Sequence, residues 1–193
     1  MEKYADLLKE HLQPGSGFSE SSKAEARRLL DLLTRRHTFR KKPETPVNGL
    51  RFGINAFTFN RQLEAAYLQP HPKSGGLLWP CGGGPEPEDG QDPLRTARRE
   101  LDEEAPHFLS LGNELRPCSP ALLDVHFKQS LVPSKPGEWC ILTVGFCVPD
   151  NFTATGEKGG IWQGLDRLRK DKDLSLSRPA EYLHGLLRKG IAA

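Results

Sequence analysis

Apolar residues recur along this chain with two periods, and the change from one to the other divides it. Leu7, Leu8 and Leu12 stand at helical spacing before "QPGSG" closes the first segment. A second helix is expected from the Ser21-Ser22 pair, which can supply an N-cap, through "KAEARRLLDLLTRR", where Leu29, Leu30, Leu32 and Leu33 form a broad apolar stripe. From Arg51 the period shortens to two. "RFGINAFTFN" alternates Phe52, Ile54, Ala56-Phe57 and Phe59 with smaller or polar residues, as a half-buried strand does. "LEAAYLQPH" and "GGLLWPCGGG" predict two more short strands, the second running into a glycine turn. "LLDVHFKQSLV" and "EWCILTVGFCV" predict another two, the latter so continuously apolar that it belongs at the centre of a sheet. "GGIWQGLDRL" predicts a strand passing into a turn, and "RPAEYLHGLLRKG" a final helix with Pro179 near its first position and Gly190 as its stop.

One helix interrupts the strands. Asp92 can cap it, Pro93 suits its first position, and Leu94, Ala97 and Leu101 make a docking stripe at i, i+3 and i+7, predicting a helix over residues 93 to 104. This order of elements predicts an α/β (α+β) fold, a mixed β-sheet sandwiched between helices. Residues 1–46 are expected to form an N-terminal helical arm with a basic linker, and residues 47–193 the main domain. The arm's leucines need a partner surface. Docking onto its own domain is the simplest account, while a homodimer contact or a lid over the pocket is also compatible.

Composition narrows the picture. At 193 residues, with 36% hydrophobic and 27% charged residues and a mean hydropathy of −0.56, the chain reads as a soluble domain. No apolar run approaches the about 18 residues of a membrane span. "MEKYADLLKEHLQPGSG" lacks the apolar stretch of a signal peptide, and Cys81, Cys118, Cys140 and Cys147 form no C-x-x-C pair. Buried thiols in a reducing cytoplasm are expected rather than a zinc site or disulfide framework. A net charge of +2 and a pI near 8.4 are too modest to indicate nucleic acid. The cluster Arg35, Arg36, Arg40, Lys41 and Lys42 is short and reads as a solvated helix end entering a linker, so neither nucleic acid nor a membrane is expected as a partner.

The informative stretch is "RRELDEEAPH". Glu100, Glu103 and Glu104 stand at i, i+3 and i+4 and share one helix face, with Asp102 pointing elsewhere. Like charges at that spacing repel, and a hard divalent cation relieves the repulsion: Mg²⁺ prefers carboxylate and water oxygens, with substrate phosphates completing its shell. Arg99 could orient a neighbouring carboxylate through its planar fork. Directly upstream, "WPCGGGPEPEDGQD" is a glycine-rich loop that lets backbone approach a ligand.

Loop, helix and motif together resemble the Nudix hydrolase signature, Gly-x5-Glu-x7-Arg-Glu-U-x-Glu-Glu-x-Gly-U with U aliphatic. Arg99-Glu100-Leu101-Asp102-Glu103-Glu104 matches its core without a gap, and "LLWPCGGG" and "GEKGGIWQGLDRL" resemble the flanking segments, so that the likeness covers roughly residues 48 to 190. The resemblance implies a Nudix-type sheet and hydrolysis of a small-molecule organic diphosphate, such as a nucleoside diphosphate linked to another moiety, with Mg²⁺ or Mn²⁺. It implies Glu103 and Glu104 as metal ligands, Glu100 as ligand or base, and Arg99 as the side chain holding a glutamate. Members often draw a further carboxylate from outside the box, for which Glu157, ahead of Trp162, is the first choice and Glu138 the second.

Three departures stand out. The family's spacing places Gln91 where a glutamate is expected, Gly84 precedes it by six residues instead of five, and Pro106-His107 replaces the closing glycine and aliphatic residue. Glu86 or Glu88 could compensate for Gln91, and Glu103 and Glu104 would stand at a frayed helix end. His126 is expected to be packed or half-exposed rather than a ligand, and His107 to line a pocket or face solvent. The substitutions leave open an alternative, a Nudix-fold protein without diphosphatase activity that acts as a metal-independent isomerase or cyclase, or as a binding module. An apolar pocket at the substituted positions would favour that alternative, and Arg or Lys gathered on the carboxylate face would favour the hydrolase.

Overall fold

The strand Leu50–Asn60 sends Phe52, Ile54 and Ala56 into one apolar cluster and Phe57 and Phe59 into another, because successive side chains leave a strand on opposite faces. The sheet therefore has a core on each side. The computed structural model describes residues 2–35, 50–71, 76–129, 137–153 and 159–190. In chain order the elements are α1 (Glu2–His11), α2 (Glu20–Arg35), β1 (Leu50–Asn60), β2 (Ala65–Pro70), β3 (Leu78–Trp79), β4 (Cys81–Gly83), α3 (Pro93–Glu104), β5 (Arg116–Gln129), β6 (Glu138–Cys147), β7 (Ile161–Gly164), α4 (Leu165–Leu168) and α5 (Leu174–Arg188). Two 3-10 segments, Pro87–Asp89 and Pro106–Glu114, flank α3.

The sheet is mixed and seven-stranded, ordered β3-β2-β1-β6-β5, with β4 on β1 and β7 on β2. β6 runs parallel to β1 from Leu50↔Glu138 to Phe59↔Cys147 and pairs antiparallel with β5 on its other side. Its apolar run predicts the centre of the sheet; it lies in the interior, covered on both edges, while β1 is the middle strand. "GGLLWPCGGG" forms two short strands instead of one: Pro80, which has no N–H to donate, separates β3, paired with β2, from β4, paired with β1. β2 pairs with β1 at Phe59↔Ala66 and Asn60↔Ala65 and then continues to β7, and β4 takes up the β1 edge at Ile54 to Ala56. That edge places the glycine loop beside α3.

α1, α2 and α3 cover one face, where Tyr4, Leu8, Ala26, Leu29 and Leu33 share a cluster with Ile54, Ala97, Leu101 and Leu142. The arm thus docks onto its own sheet. α4 and α5 cover the other face through Leu165, Leu168, Leu176, Leu183 and Leu186 against Phe57, Phe59 and Leu123. The boundary expected between residues 46 and 47, and Arg36, Arg40, Lys41 and Lys42, lie outside the described residues. No helix among the described residues is long and apolar enough to cross a membrane.

Two helix starts differ from expectation. α2 begins at Glu20 with Ser19 Oγ accepting the Ser22 N–H at 3.1 Å, and Ser22 is buried instead of capping. α5 begins behind Asp173, whose carboxylate accepts the Ser175 N–H at 2.8 Å, so Pro179 lies inside the helix rather than at its first position. Gly190, at φ 67°, ends the helical run as expected.

Candidate functional site

α3 forms over the predicted residues for the predicted reasons. Asp92 accepts the Leu94 N–H at 3.0 Å, Pro93 occupies the first position, and Ala97 and Leu101 are fully buried beneath the helix. Burial of that stripe fixes the rotation of α3, so Glu100, Glu103 and Glu104 are turned toward the rim where β4 meets the glycine loop. Asp102 faces away and pairs with Arg98 at 3.0 Å.

Arg99 ties the helix to the loop. Its Nε donates to Asp89 at 3.1 Å, its Nη2 to the Gly84 carbonyl at 2.9 Å, and its Nη1 to Glu100 at 2.9 Å and Glu103 at 3.3 Å. Burial alone would discourage its charge, but the carboxylates of Asp89, Glu100 and Glu103 more than offset this and raise its pKa. Asp89, 4% exposed, also accepts the Thr96 hydroxyl at 2.9 Å and the Glu86 N–H at 2.8 Å. Burial pushes its pKa up, and the donors from Arg99, Glu86 and Thr96 bring it below the ordinary carboxylate value.

Asp89 is the residue that sequence reasoning missed. Glu86 lies 3.9 Å from Arg99 and both it and Glu88 are exposed, so the compensation comes from the next acidic residue along. The 3-10 turn Pro87–Asp89 ends in two successive left-handed residues, Gly90 at φ 60° and Gln91 at φ 58°, which turn Asp89 inward and Gln91 out to the surface. Counting along the chain could not show this.

The three glutamates are held differently. Glu100, 9% exposed, lies against Gly83, where any side-chain carbon would fall on its carboxylate. Burial raises its pKa, opposed by Arg99. Glu104 Oε2 accepts the Gly82 N–H at 2.9 Å and Gln69 Nε2 at 3.0 Å, and Glu103 is the more exposed of the three. Glu103 and Glu104 do not stand at a frayed end. The Ala105 N–H closes α3 onto the Leu101 carbonyl at 2.8 Å, and the 3-10 segment beginning at Pro106 takes the chain away at once.

The donor set is entirely hard oxygen, which suits Mg²⁺ or Mn²⁺. Gln69 Oε1 adds a buried acceptor with no partner among the described residues, beside Glu104. No three potential ligands among the described residues already surround one point. Glu157 lies outside the described residues. Glu138 is elsewhere, paired with Arg28 at 2.6 and 2.9 Å at the start of β6.

Arg51, Trp139 and Lys128 form a row on the sheet face that carries Phe57 and Phe59, opposite the face against which α3 packs. Gln69 faces Trp79 across β2 and β3, and Lys128 Nζ sits 4.5 Å from the centroid of the Trp79 ring. Lys128 and Arg51 flank Trp139 in register, and the Arg51 guanidinium carbon is 5.8 Å from the Trp139 centroid. Burial lowers the Lys128 pKa, against the pull of Asp173. Of the substituted positions, Gln91 and Pro106 are exposed, and His107 packs edge-on to Tyr67 beside Phe108. They do not jointly line an apolar pocket. His126 is buried and bonded to Asp124 at 2.9 Å, as a packed residue.

No family model and no curated protein matches the chain. Solved structures do. The Escherichia coli dihydroneopterin triphosphate pyrophosphohydrolase aligns at a TM-score of 0.53 and 12% identity over 75% of this chain and 96% of its own. The Caenorhabditis elegans Ap4A hydrolase aligns at 0.50 and 16% identity over 70% of this chain and 97% of its own. At these identities the likeness is one of fold, and the fold is that of the Nudix hydrolases.

Proposed function

We propose that this chain uses its Nudix fold to hydrolyse a small-molecule organic diphosphate, with Mg²⁺ or Mn²⁺ held by Glu100, Glu103 and Glu104 and with Glu157 as a further ligand. The observation that carries the reading is the Arg99 fork, which joins Glu100 and Glu103 to Asp89 and the Gly84 carbonyl and so supplies the brace that Gln91 cannot. The cation, when bound, neutralises the diphosphate and acidifies water. Glu100 orients and deprotonates the attacking water. Gly83 lets it lie against the loop, and Gln69 and the Gly82 N–H fix Glu104.

The substrate class that goes with this reading is a nucleoside diphosphate linked to another moiety. The two aligned enzymes are named for a pterin triphosphate and a dinucleotide, both of which combine an aromatic ring with phosphates.

The test is release of phosphate or monophosphate from nucleotide sugars, dinucleotides, nucleoside triphosphates and prenyl diphosphates with Mg²⁺ or Mn²⁺. Wild type is expected to act on a nucleotide-containing substrate only with metal. Glu103→Gln is expected to be at least about 100-fold slower, a loss of roughly 2.7 kcal/mol of transition-state stabilisation. Absence of release from every substrate would overturn the reading.

A further inference from the structure

Away from the carboxylates, β5 and β6 bring together two thiols that no step of the hydrolysis uses. Cys118 Sγ and Cys147 Sγ lie 2.9 Å apart, 29 residues apart in sequence. β6 makes the approach possible through Gly145, which shares a strand face with Cys147. A side-chain carbon at Gly145 would press on Cys118 Sγ and on Leu123 Cδ1, both at 2.8 Å, so the bare backbone there is the space into which Cys118 leans on its way to Cys147. The β5 ladder supplies the rest. Its register shifts between Pro117 and Leu122, which releases Cys118 from regular pairing.

The two thiols differ. Cys118 is buried and Cys147 is partly exposed. The hydrogen bond from Cys118, aided by the positive charge of Arg61, holds the Cys147 thiol below its ordinary pKa despite burial, and the same hydrogen bond, with burial, pushes the Cys118 thiol up. Cys81 and Cys140 are buried elsewhere in the fold.

We propose that Cys118 and Cys147 form an oxidisable dithiol whose substrate is a small disulfide of the glutathione type. The Cys147 thiolate attacks one sulfur of the small disulfide, forming a mixed disulfide and expelling one small thiolate. Cys118 then attacks the Cys147 sulfur, closing the Cys118–Cys147 bond and expelling the second. The chain loses two electrons and two protons, and the small disulfide gains both as two thiols. The sulfurs must close by about 0.9 Å to reach a bonded distance near 2.04 Å. The bond fastens the entry of β5, which follows the segment leaving α3.

The experiment equilibrates the reduced full chain with oxidised and reduced glutathione at graded ratios, quenches with an alkylating agent, and maps the linked peptides by mass. Expected is a product two hydrogens lighter with a Cys118–Cys147 link and a melting temperature higher by on the order of 10 °C, as closing a loop of this length predicts. Cys118→Ser is expected to stop at glutathione attached to Cys147, and Cys147→Ser to form neither product. Retention of all four thiols by the folded wild type, when the denatured chain oxidises in the same buffer, would overturn the proposal. So would links mapping to other cysteines, and neither outcome depends on a variant that folds.

Discussion

Asp89 stands where the structure needs a carboxylate, although the family's spacing points two residues further on. The carboxylate triplet was legible in the sequence because i, i+3 and i+4 on a helix is a local relation that any helix enforces. The partner of Arg99 was not, because Gly90 and Gln91 take left-handed conformations that interchange which residues of the loop face in and out. Asp89→Asn leaves Arg99 its bonds to Glu100, Glu103 and the Gly84 carbonyl but removes its most buried carboxylate partner. The expected cost is about 2 to 3 kcal/mol, toward the low end for breaking a buried pair, and urea denaturation of wild type and variant checks it.

Among the elements, α3 and the segments at its two ends decide how the glutamates are presented. Its start was legible, since Asp92-Pro93 is a strong local signal. Its end was not: Pro106 excludes a glycine-type exit, but only the 3-10 segment Pro106–Glu114, anchored by Phe108 in the core, shows how the chain leaves without loosening Glu103 and Glu104. The start of α5 differs for the opposite reason: Pro179 suits a first position, but the Asp173 cap upstream starts the helix earlier and leaves the proline inside it. Asp92 also pairs with Lys3 of the arm, so Asp92→Ala removes both a cap and a tie between α1 and α3. A loss of about 1 to 2 kcal/mol is expected, measured as a lower thermal midpoint.

At the scale of the whole molecule, the arm is joined to the sheet by a buried polar chain as well as by leucines. His11 Nε2 donates to Ser22 Oγ at 2.9 Å, Ser22 donates to Asp124 at 2.9 Å, His126 donates to the other oxygen of Asp124, and Ser175 Oγ of α5 lies 3.2 Å from His126 Nε2. Burial lowers the His11 pKa from 6.5 to about 4, against the attraction of Asp124. Between those values the unfolded chain holds a proton that the folded chain does not. Stability from this site is therefore complete above about pH 6.5 and is lost as the pH falls toward 4, by up to about 3 kcal/mol. Chemical denaturation at stepped pH is expected to show a steeper loss in wild type than in His11→Gln. Equal slopes would remove His11 from the account.

The sequence by itself determined most of the elements, that the apolar strand lies inside the sheet, and which helix carries the three carboxylates, because periods of two and 3.6 and helix caps act over a few neighbouring residues. Only the tertiary structure decided that Asp89 braces Arg99, that Gly83 admits Glu100, that Gln69 and Gly82 hold Glu104, that Cys118 reaches Cys147 over Gly145, and that the arm lies on its own sheet. Each of these is set by a loop conformation or by strand register. Both emerge when distant segments pack together, and no local period of the sequence encodes them.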